Sequence, residues 1–290
     1  MRGNRKNPIL LAISGAQRYT GCMRKRFFMI MAMIPLLFVS CDIFDGNFWG
    51  NNETDSPQNN SGKNPDSDDD IQGNAGSPIN GRVTYYQGYD ATSVAYYAPE
   101  IESGWYKCAV SENKLGEFPP QSAAEIAYNG KKIRVLVTDL CPNSENSHWT
   151  SQSDYYFDLG ENAFAALGDT KDGVLNVSIT KIAYQTTKNI RFQEKPSNGN
   201  GYYLAGRFYN MRHPLKKVEI STDGKTFTQM TRMDGNKNNW WEIQYSNGGL
   251  NSQSFYFRLT DEYGHIITSS SAMTFSAAEG SNGIGTNFPY

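Results

Sequence analysis

The sequence predicts an all-β protein in two folded parts, and three observations carry that prediction. From Gly81 onward, short β-branched and aromatic runs alternate with Gly, Asn, Asp and Pro turns, at strand rather than helix period. One short helix fits, from Glu161 to Leu167. The turn signals then recur at regular spacing to the end of the chain, as in a β-sandwich.

The elements come in this order. Residues 1–22 read as an upstream extension, because Met23 opens a complete leader. Met23-Arg24-Lys25-Arg26 is its basic region and Phe27 to Val39 its apolar core. Leu37-Phe38-Val39-Ser40-Cys41 fits a bacterial lipoprotein signal (23–41), with Cys41 as the lipidated residue. Phe38 is an imperfect match to that signal. A membrane anchor helix, or a plain secretory signal with Cys41 incidental, is the other reading. Residues 42–78 are a polar, acidic tether that cannot bury enough surface to fold. Its Asp66 to Asp70 cluster reads as solubilising, with calcium binding the alternative.

The first β part spans 79–185. Arg82 to Tyr86, Ile133 to Thr138 and Val174 to Thr180 read as strands, with a turn at Lys171-Asp172-Gly173. Strands this short, with so little helix, predict a closed or packed β architecture. A short link at Tyr184 to Thr187 predicts that the two parts are held nearly rigid. The second part, 188–290, has strand runs at Ile190–Gln193, Tyr203–Tyr209, Lys217–Ser221, Phe227–Met230, Trp241–Tyr245, Ser254–Leu259 and His265–Thr268. Asp223-Gly224-Lys225 predicts a tight hairpin.

Composition excludes some functions. A formal net charge of −2 lacks the basic excess of a nucleic-acid footprint. After the leader, no apolar run is long enough to span a bilayer. Of four cysteines, Cys22 and Cys41 belong to the leader. Cys108 and Cys141 remain as one candidate pair in an oxidising compartment, and a disulfide between them is expected, with two buried free thiols the alternative. A bridge would stabilise the fold by roughly 3–4 kcal/mol. His148, His213 and His265 are scattered, and none stands at ligand spacing from a cysteine, so no zinc site and no cofactor is expected.

Two acids carry the chemistry. Asp139 ends a β-branched strand, and Asp158 comes just before the helix. Asp158 is either a working acid or a carboxylate stabilising the first helical turn. Asp139 is either a groove residue or a strand-end turn residue.

Thr84-Tyr85-Tyr86, Val137 to Pro142, Asp158-Leu159 with Asn162-Ala163-Phe164, Lys171-Asp172-Gly173 and the chain end Gly285 to Pro289 resemble, in that order, the landmarks of bacterial expansin-like proteins. The resemblance covers about residues 79–290. It implies a six-stranded double-psi β-barrel followed by an immunoglobulin-like β-sandwich that binds cellulose. It also implies groove roles for Thr84, Asp139 and Asp158. Asp158 matches the acid essential for wall loosening, and the general acid of the related family-45 glycoside hydrolases. The place of the hydrolase base falls near Gly88, where Asp90 is the local substitute; Asp139 is the other. Hydrolysis needs two carboxyl groups in set geometry, so the expectation is a protein that loosens glucan without cutting it.

Tyr202 and Tyr203 match the family's paired binding aromatics, and Lys195 a lysine beside them. Leu204 and Phe208 look core-facing, which by alternation turns Tyr202 inward unless a bulge intervenes. Trp241 shares a core pattern with Ile243 and Tyr245, leaving Trp240 as the exposed tryptophan. Tyr86, and Trp149 in the longer Asn143–Phe157 stretch, add sugar-stacking surface to the groove. The expected partners are cellulose, other β-glucans or wall matrix polysaccharides, with peptidoglycan the alternative. The expected form is a monomeric, extracellular lipoprotein on a bacterial surface. The rivals are a glycan-cleaving enzyme on the same barrel, endoglucanase or lytic transglycosylase, and a pure polysaccharide adhesin.

Overall fold

The computed structural model describes residues 76–86, 96, 98–195, 203–233, 237–244, 254–274 and 282–290. The expected leader with Cys41, nearly all of the expected tether, Gly88, Asp90 and Tyr202 lie outside these residues. Among the described residues no helix is long and apolar enough to cross a membrane.

Six strands close a barrel: β1 (Ile79–Tyr86), β2 (Trp105–Ser111), β3 (Ala123–Tyr128), β4 (Lys131–Cys141), β5 (Tyr155–Gly160) and β6 (Leu175–Ile182), in the order β1-β5-β2-β4-β3-β6. β1 runs parallel to β5, and β2 parallel to β4; the other neighbours are antiparallel. Alternation puts Val83, Cys108, Val110, Val135, Val137, Phe157, Leu159 and Ile179 into one buried core. β3 carries no strand signal, since Ala-Ala-Glu-Ile-Ala favours helix. It is a strand because β4 and β6 pair with it on both sides, so tertiary pairing outweighs local propensity.

Two short helices interrupt the described barrel. α2 (Glu161–Leu167) lies where the sequence places it, and buries Ala163, Phe164 and Leu167. Phe164 packs on Tyr85 with ring centroids 4.7 Å apart. α1 (Asn143–Thr150) is not legible in the sequence. Its Asn-Ser-Glu-Asn-Ser-His-Trp-Thr run has no apolar stripe, and Asn146 breaks its helical backbone at φ −132°.

The second part holds two sheets. One takes β9 (Leu215–Ser221), β10 (Thr228–Gln229), β13 (Ser254–Asp261) and β14 (Ile266–Thr268) in the order β10-β9-β13-β14, with β15 (Met273–Thr274) paired to β13. The other runs β11-β12-β8-β7-β16, from β7 (Arg191–Glu194), β8 (Tyr203–Tyr209), β11 (Thr231–Arg232), β12 (Trp241–Gln244) and β16 (Asn282–Gly283). Ile190, Phe192, Leu204, Phe208 and Trp241 from one side meet Val218, Ile220, Phe257 and Leu259 from the other in a common core. The expected hairpin joins β9 to β10: Asp223 Oδ1 accepts from the amides of Lys225 and Thr226, and Gly224 takes φ +70°.

Side chains cross the link between the barrel and these sheets. Thr186 Oγ1 donates to Glu102 Oε1 at 2.6 Å, and the Tyr184 hydroxyl accepts from the Glu102 amide at 2.7 Å. Arg212 donates to the carbonyls of Thr186 and Phe288, and Lys181 pairs with Glu262.

Candidate polysaccharide groove and aromatic face

The outer side of the barrel carries the acids, and strand register decides which residues join them. Thr84 on β1 pairs with Asp158 on β5; Asp158 pairs with Ala109 on β2; Ala109 pairs with Asp139 on β4. Paired residues share a face, so Thr84, Asp158, Ala109 and Asp139 form one rung across four strands. A register shift at Cys108/Ala109 leaves Thr138 as the extra residue on β4. Without that bulge Ala109 would oppose Thr138, and Asp139 would point into the barrel core. With it, both acids issue on the groove side, two strand spacings apart, or about 9.5 Å between backbones. Ala109 between them is buried, packed with Cys141 and Tyr155 beneath Tyr86 and Trp149.

Asp158 is therefore not a helix cap. It sits inside β5, and α2 is capped by Gly160 with no side-chain bond. Nor is Asp139 a turn residue, because β4 continues to Cys141. Its Oδ1 accepts from the Leu140 amide at 2.9 Å.

Asp158 is 7% exposed, and Thr84 Oγ1 donates to its Oδ1 at 2.6 Å. Thr84 has one hydroxyl proton, and the carboxylate takes it. The Tyr155 hydroxyl, 2.9 Å from Thr84 Oγ1, must then be the donor to it. Cys141 Sγ lies 3.7 Å beyond, and with the Tyr155 proton already engaged the thiol donates to Tyr155. A directed chain results: Cys141 to Tyr155 to Thr84 to Asp158. Burial first, and the Asp158 charge second, push the Tyr155 hydroxyl up, which keeps it protonated and able to donate.

Cys108 and Cys141 are both buried thiols with no disulfide between them, which corrects the expected bridge. Cys108 pairs with Val137 while Cys141 pairs with Ser111, three residues further along β2. At about 3.3 Å per residue the two sulfur-bearing positions are about 10 Å apart, beyond the about 7 Å limit for bridging. They also lie on opposite faces: Cys108 in the barrel core, Cys141 with Ala109 and Tyr155 under the groove. Burial pushes the Cys108 thiol up, with the charges of Asp139 and Asp158 adding to it.

Tyr86 and Trp149 pack on that groove-side cluster. Trp149 comes from α1, with its ring centroid 5.8 Å from that of Tyr155 and tilted by 35°. The longer stretch after Cys141 thus brings one partly exposed indole to the groove, next to the rung of acids.

The second aromatic site lies on the outer face of β12-β8-β7. Tyr203, Ala205 and Arg207 alternate outward from β8, opposite the core residues Leu204 and Phe208. The Tyr203 hydroxyl donates to Glu242 Oε2 at 3.0 Å; burial first, then that bond, push it up to about 12. Trp240 is partly exposed, with the Arg207 guanidinium 4.5 Å and Lys195 Nζ 6.0 Å from its ring centre. Arg207 donates to Gln193 Oε1 at 2.6 Å. Trp241 is buried in the core. Tyr203, Trp240 and Lys195 thus share one surface, and the sequence reading missed Arg207, which outward alternation on β8 could have found. Tyr202 lies outside the described residues, as does Asp90, so neither the paired tyrosine nor the substitute base has a position here.

No family model matches the sequence. The chain is 28% identical over 136 residues to Expansin-YoaJ of Bacillus subtilis strain 168, a stretch covering 47% of this chain and 51% of that protein. It therefore spans about half the length of that relative. It is 28% identical over 197 residues to Expansin-like protein 5 of Dictyostelium discoideum, covering 65% of this chain and 77% of that one. A shorter stretch of 108 residues is 31% identical to a papain inhibitor of Streptomyces mobaraensis, covering 35% of this chain and 68% of the inhibitor. Among solved structures, the apo expansin of Clavibacter michiganensis superposes with a TM-score of 0.58 at 19% identity, over 73% of this chain and 98% of that one. At that identity the likeness establishes the fold.

Proposed function

We propose that this chain, an expansin-like protein, binds cellulose or a related β-glucan and loosens contacts between glucan chains without hydrolysing them. The observation that carries this reading is the Thr84–Asp158 pair. A nearly buried carboxylate, held by a hydroxyl chain, stands on the barrel face where Tyr86 and Trp149 pack over Ala109, Cys141 and Tyr155. Such a carboxylate can accept a hydrogen bond from a glycan hydroxyl and so compete with interchain hydrogen bonds. Pyranose faces are apolar and stack on flat rings, which suits Trp149 in the groove and the Tyr203–Trp240 face on the second part. A related solved structure, a Clavibacter michiganensis expansin variant, holds cellohexaose. On this reading the two-sheet part is the carbohydrate-binding sandwich, and the protein is a monomeric extracellular lipoprotein anchored through Cys41.

Asp139 is what keeps a hydrolase in view. It shares the rung with Asp158, and an inverting hydrolase needs its two carboxyl groups about 6.5–9.5 Å apart. The deciding experiment uses Asp158→Asn and Asp139→Asn in three assays: cellulose pull-down, mechanical creep of cellulose sheets, and reducing-sugar release. The loosening reading expects no sugar release by the wild type. It also expects binding retained and creep lost in Asp158→Asn. Sugar release that both variants abolish would establish the enzyme. Creep unaffected by Asp158→Asn would leave an adhesin. The papain-inhibitor likeness, which covers a third of this chain, supports a second reading of the barrel as a protease inhibitor; undiminished papain activity at saturating protein removes it.

A further inference from the structure

The inner end of β13 carries a group that a strand core seldom tolerates. Asp261 continues the inward alternation of Phe255, Phe257 and Leu259, and is fully buried. An ionised carboxylate in that position is costly unless its oxygens are compensated. Its Oδ1 accepts from the backbone amides of Tyr263 and His265, which closes the turn into β14. Its Oδ2 accepts from His265 Nδ1 at 2.8 Å.

The buried His213, from the segment just before β9, stands against the same carboxylate. One ligating atom from each of His213, Asp261 and His265 lies within 4.8 Å of the other two. His213 Nε2 is 3.0 Å from the Pro289 carbonyl oxygen. A carbonyl can only accept, so Nε2 holds the proton and Nδ1 of the neutral ring keeps its lone pair. Metal-ligating imidazoles are held in this way, with the far N–H tied to a backbone carbonyl. The Tyr263 ring meets His213 edge-on at 4.9 Å and covers one side of the cluster.

We propose that His213, Asp261 and His265 form a site for a borderline divalent transition metal, with Zn2+ as the first choice. Two imidazoles and one carboxylate suit Zn2+ and leave a fourth position for water. Ca2+ and Mg2+ prefer all-oxygen shells and fit poorly. Zinc bonds of about 2.0 Å in tetrahedral geometry place ligand atoms about 3.3 Å apart, so the cluster must tighten by an ångström or so. His265, with its side chain 37% exposed, has the room to make that movement. Where its Nδ1 takes the metal, that nitrogen's proton leaves to solvent. The metal would join the segment before β9 to the β13–β14 turn, next to the Glu262 that pairs with Lys181 of the barrel. It would thus staple the second part beside its contact with the first, remote from the groove chemistry.

Chelator-stripped full-length protein, titrated with Zn2+ in a calorimeter and melted with and without it, tests this. One equivalent of Zn2+ should bind and raise the melting temperature, while Ca2+ should not. His265→Ala should lose both the equivalent and the shift, as should His213→Ala. Because the His265 ring is partly exposed, its variant carries the test even if His213→Ala does not fold. Absence of Zn2+ binding by the wild type overturns the proposal. So does a bound equivalent and melting shift unchanged in folded His265→Ala, which would place the metal on His148, the leader cysteines or the acidic tether.

Discussion

Thr84 and Asp158 face each other across the parallel β1–β5 pair, and the hydroxyl of the first donates to Oδ1 of the second at 2.6 Å. Thr84→Val keeps the shape and removes the donor, so a carboxylate 7% exposed loses one of its hydrogen bonds. We expect a loss of about 1–3 kcal/mol in stability, read from urea midpoints. Creep activity should fall while cellulose pull-down holds, since the second aromatic face is untouched. A variant as stable and as active as the wild type would show the bond to be incidental.

The two barrel thiols should behave as buried and unbridged. Reductant should leave the denaturation midpoint unchanged. A thiol reagent should label Cys108 and Cys141 only after unfolding, because both are buried and Cys108 is pushed up by burial. A non-reduced digest that yields a peptide joining Cys108 to Cys141 would contradict the register.

Gly206 lies under the Phe192 ring, where an added Cβ would stand 2.0 Å from its Cζ. Phe192 is wedged between Phe208 and Phe257, at centroid distances of 5.0 and 4.8 Å, and has little room to yield. Gly206→Ala should cost about 1–3 kcal/mol by overpacking. A urea midpoint equal to that of the wild type would mean the ring moves freely.

Glu219 on β9 accepts two bonds from the Arg258 guanidinium, at 2.7 and 2.9 Å, and pairs with Lys217. The Arg258 bonds first, and Lys217 after them, hold its carboxyl down at about 2, against an ordinary value of 4.5. A carboxyl lowered by folding contributes stability that is present above about pH 4.5 and is lost as pH falls toward 2. Glu219→Gln should therefore be less stable than the wild type at pH 7, with the gap closing over that window. A gap constant from pH 7 to pH 2 would assign the difference to packing.

Much of the second part was legible because its strands alternate plainly. Tyr203 to Tyr209 is a strand with Leu204 and Phe208 inward, and from that pattern Trp241 falls in the core and Trp240 outside. β3 was not legible, since its alanines and glutamate carry a helical signal that only pairing on both edges overrules. Neither was α1, whose polar run has no period to detect. The disulfide failed for a different reason: counting cysteines says how many can pair, whereas the bond depends on register and face.

By itself, the sequence determined the all-β class, the position of α2, the family resemblance and the two acids worth testing. Those are properties of local pattern and residue type, which a chain carries wherever it folds. The tertiary structure alone decided that Asp158 belongs to a strand rather than a helix cap, and that a bulge at Thr138 turns Asp139 onto its rung. It alone separated Cys108 from Cys141, and it gathered His213, Asp261 and His265. Each of these depends on which residue of one strand lies opposite which residue of another. A shift of one position moves a side chain to the other face of the sheet, and no stretch of the chain read alone records that choice.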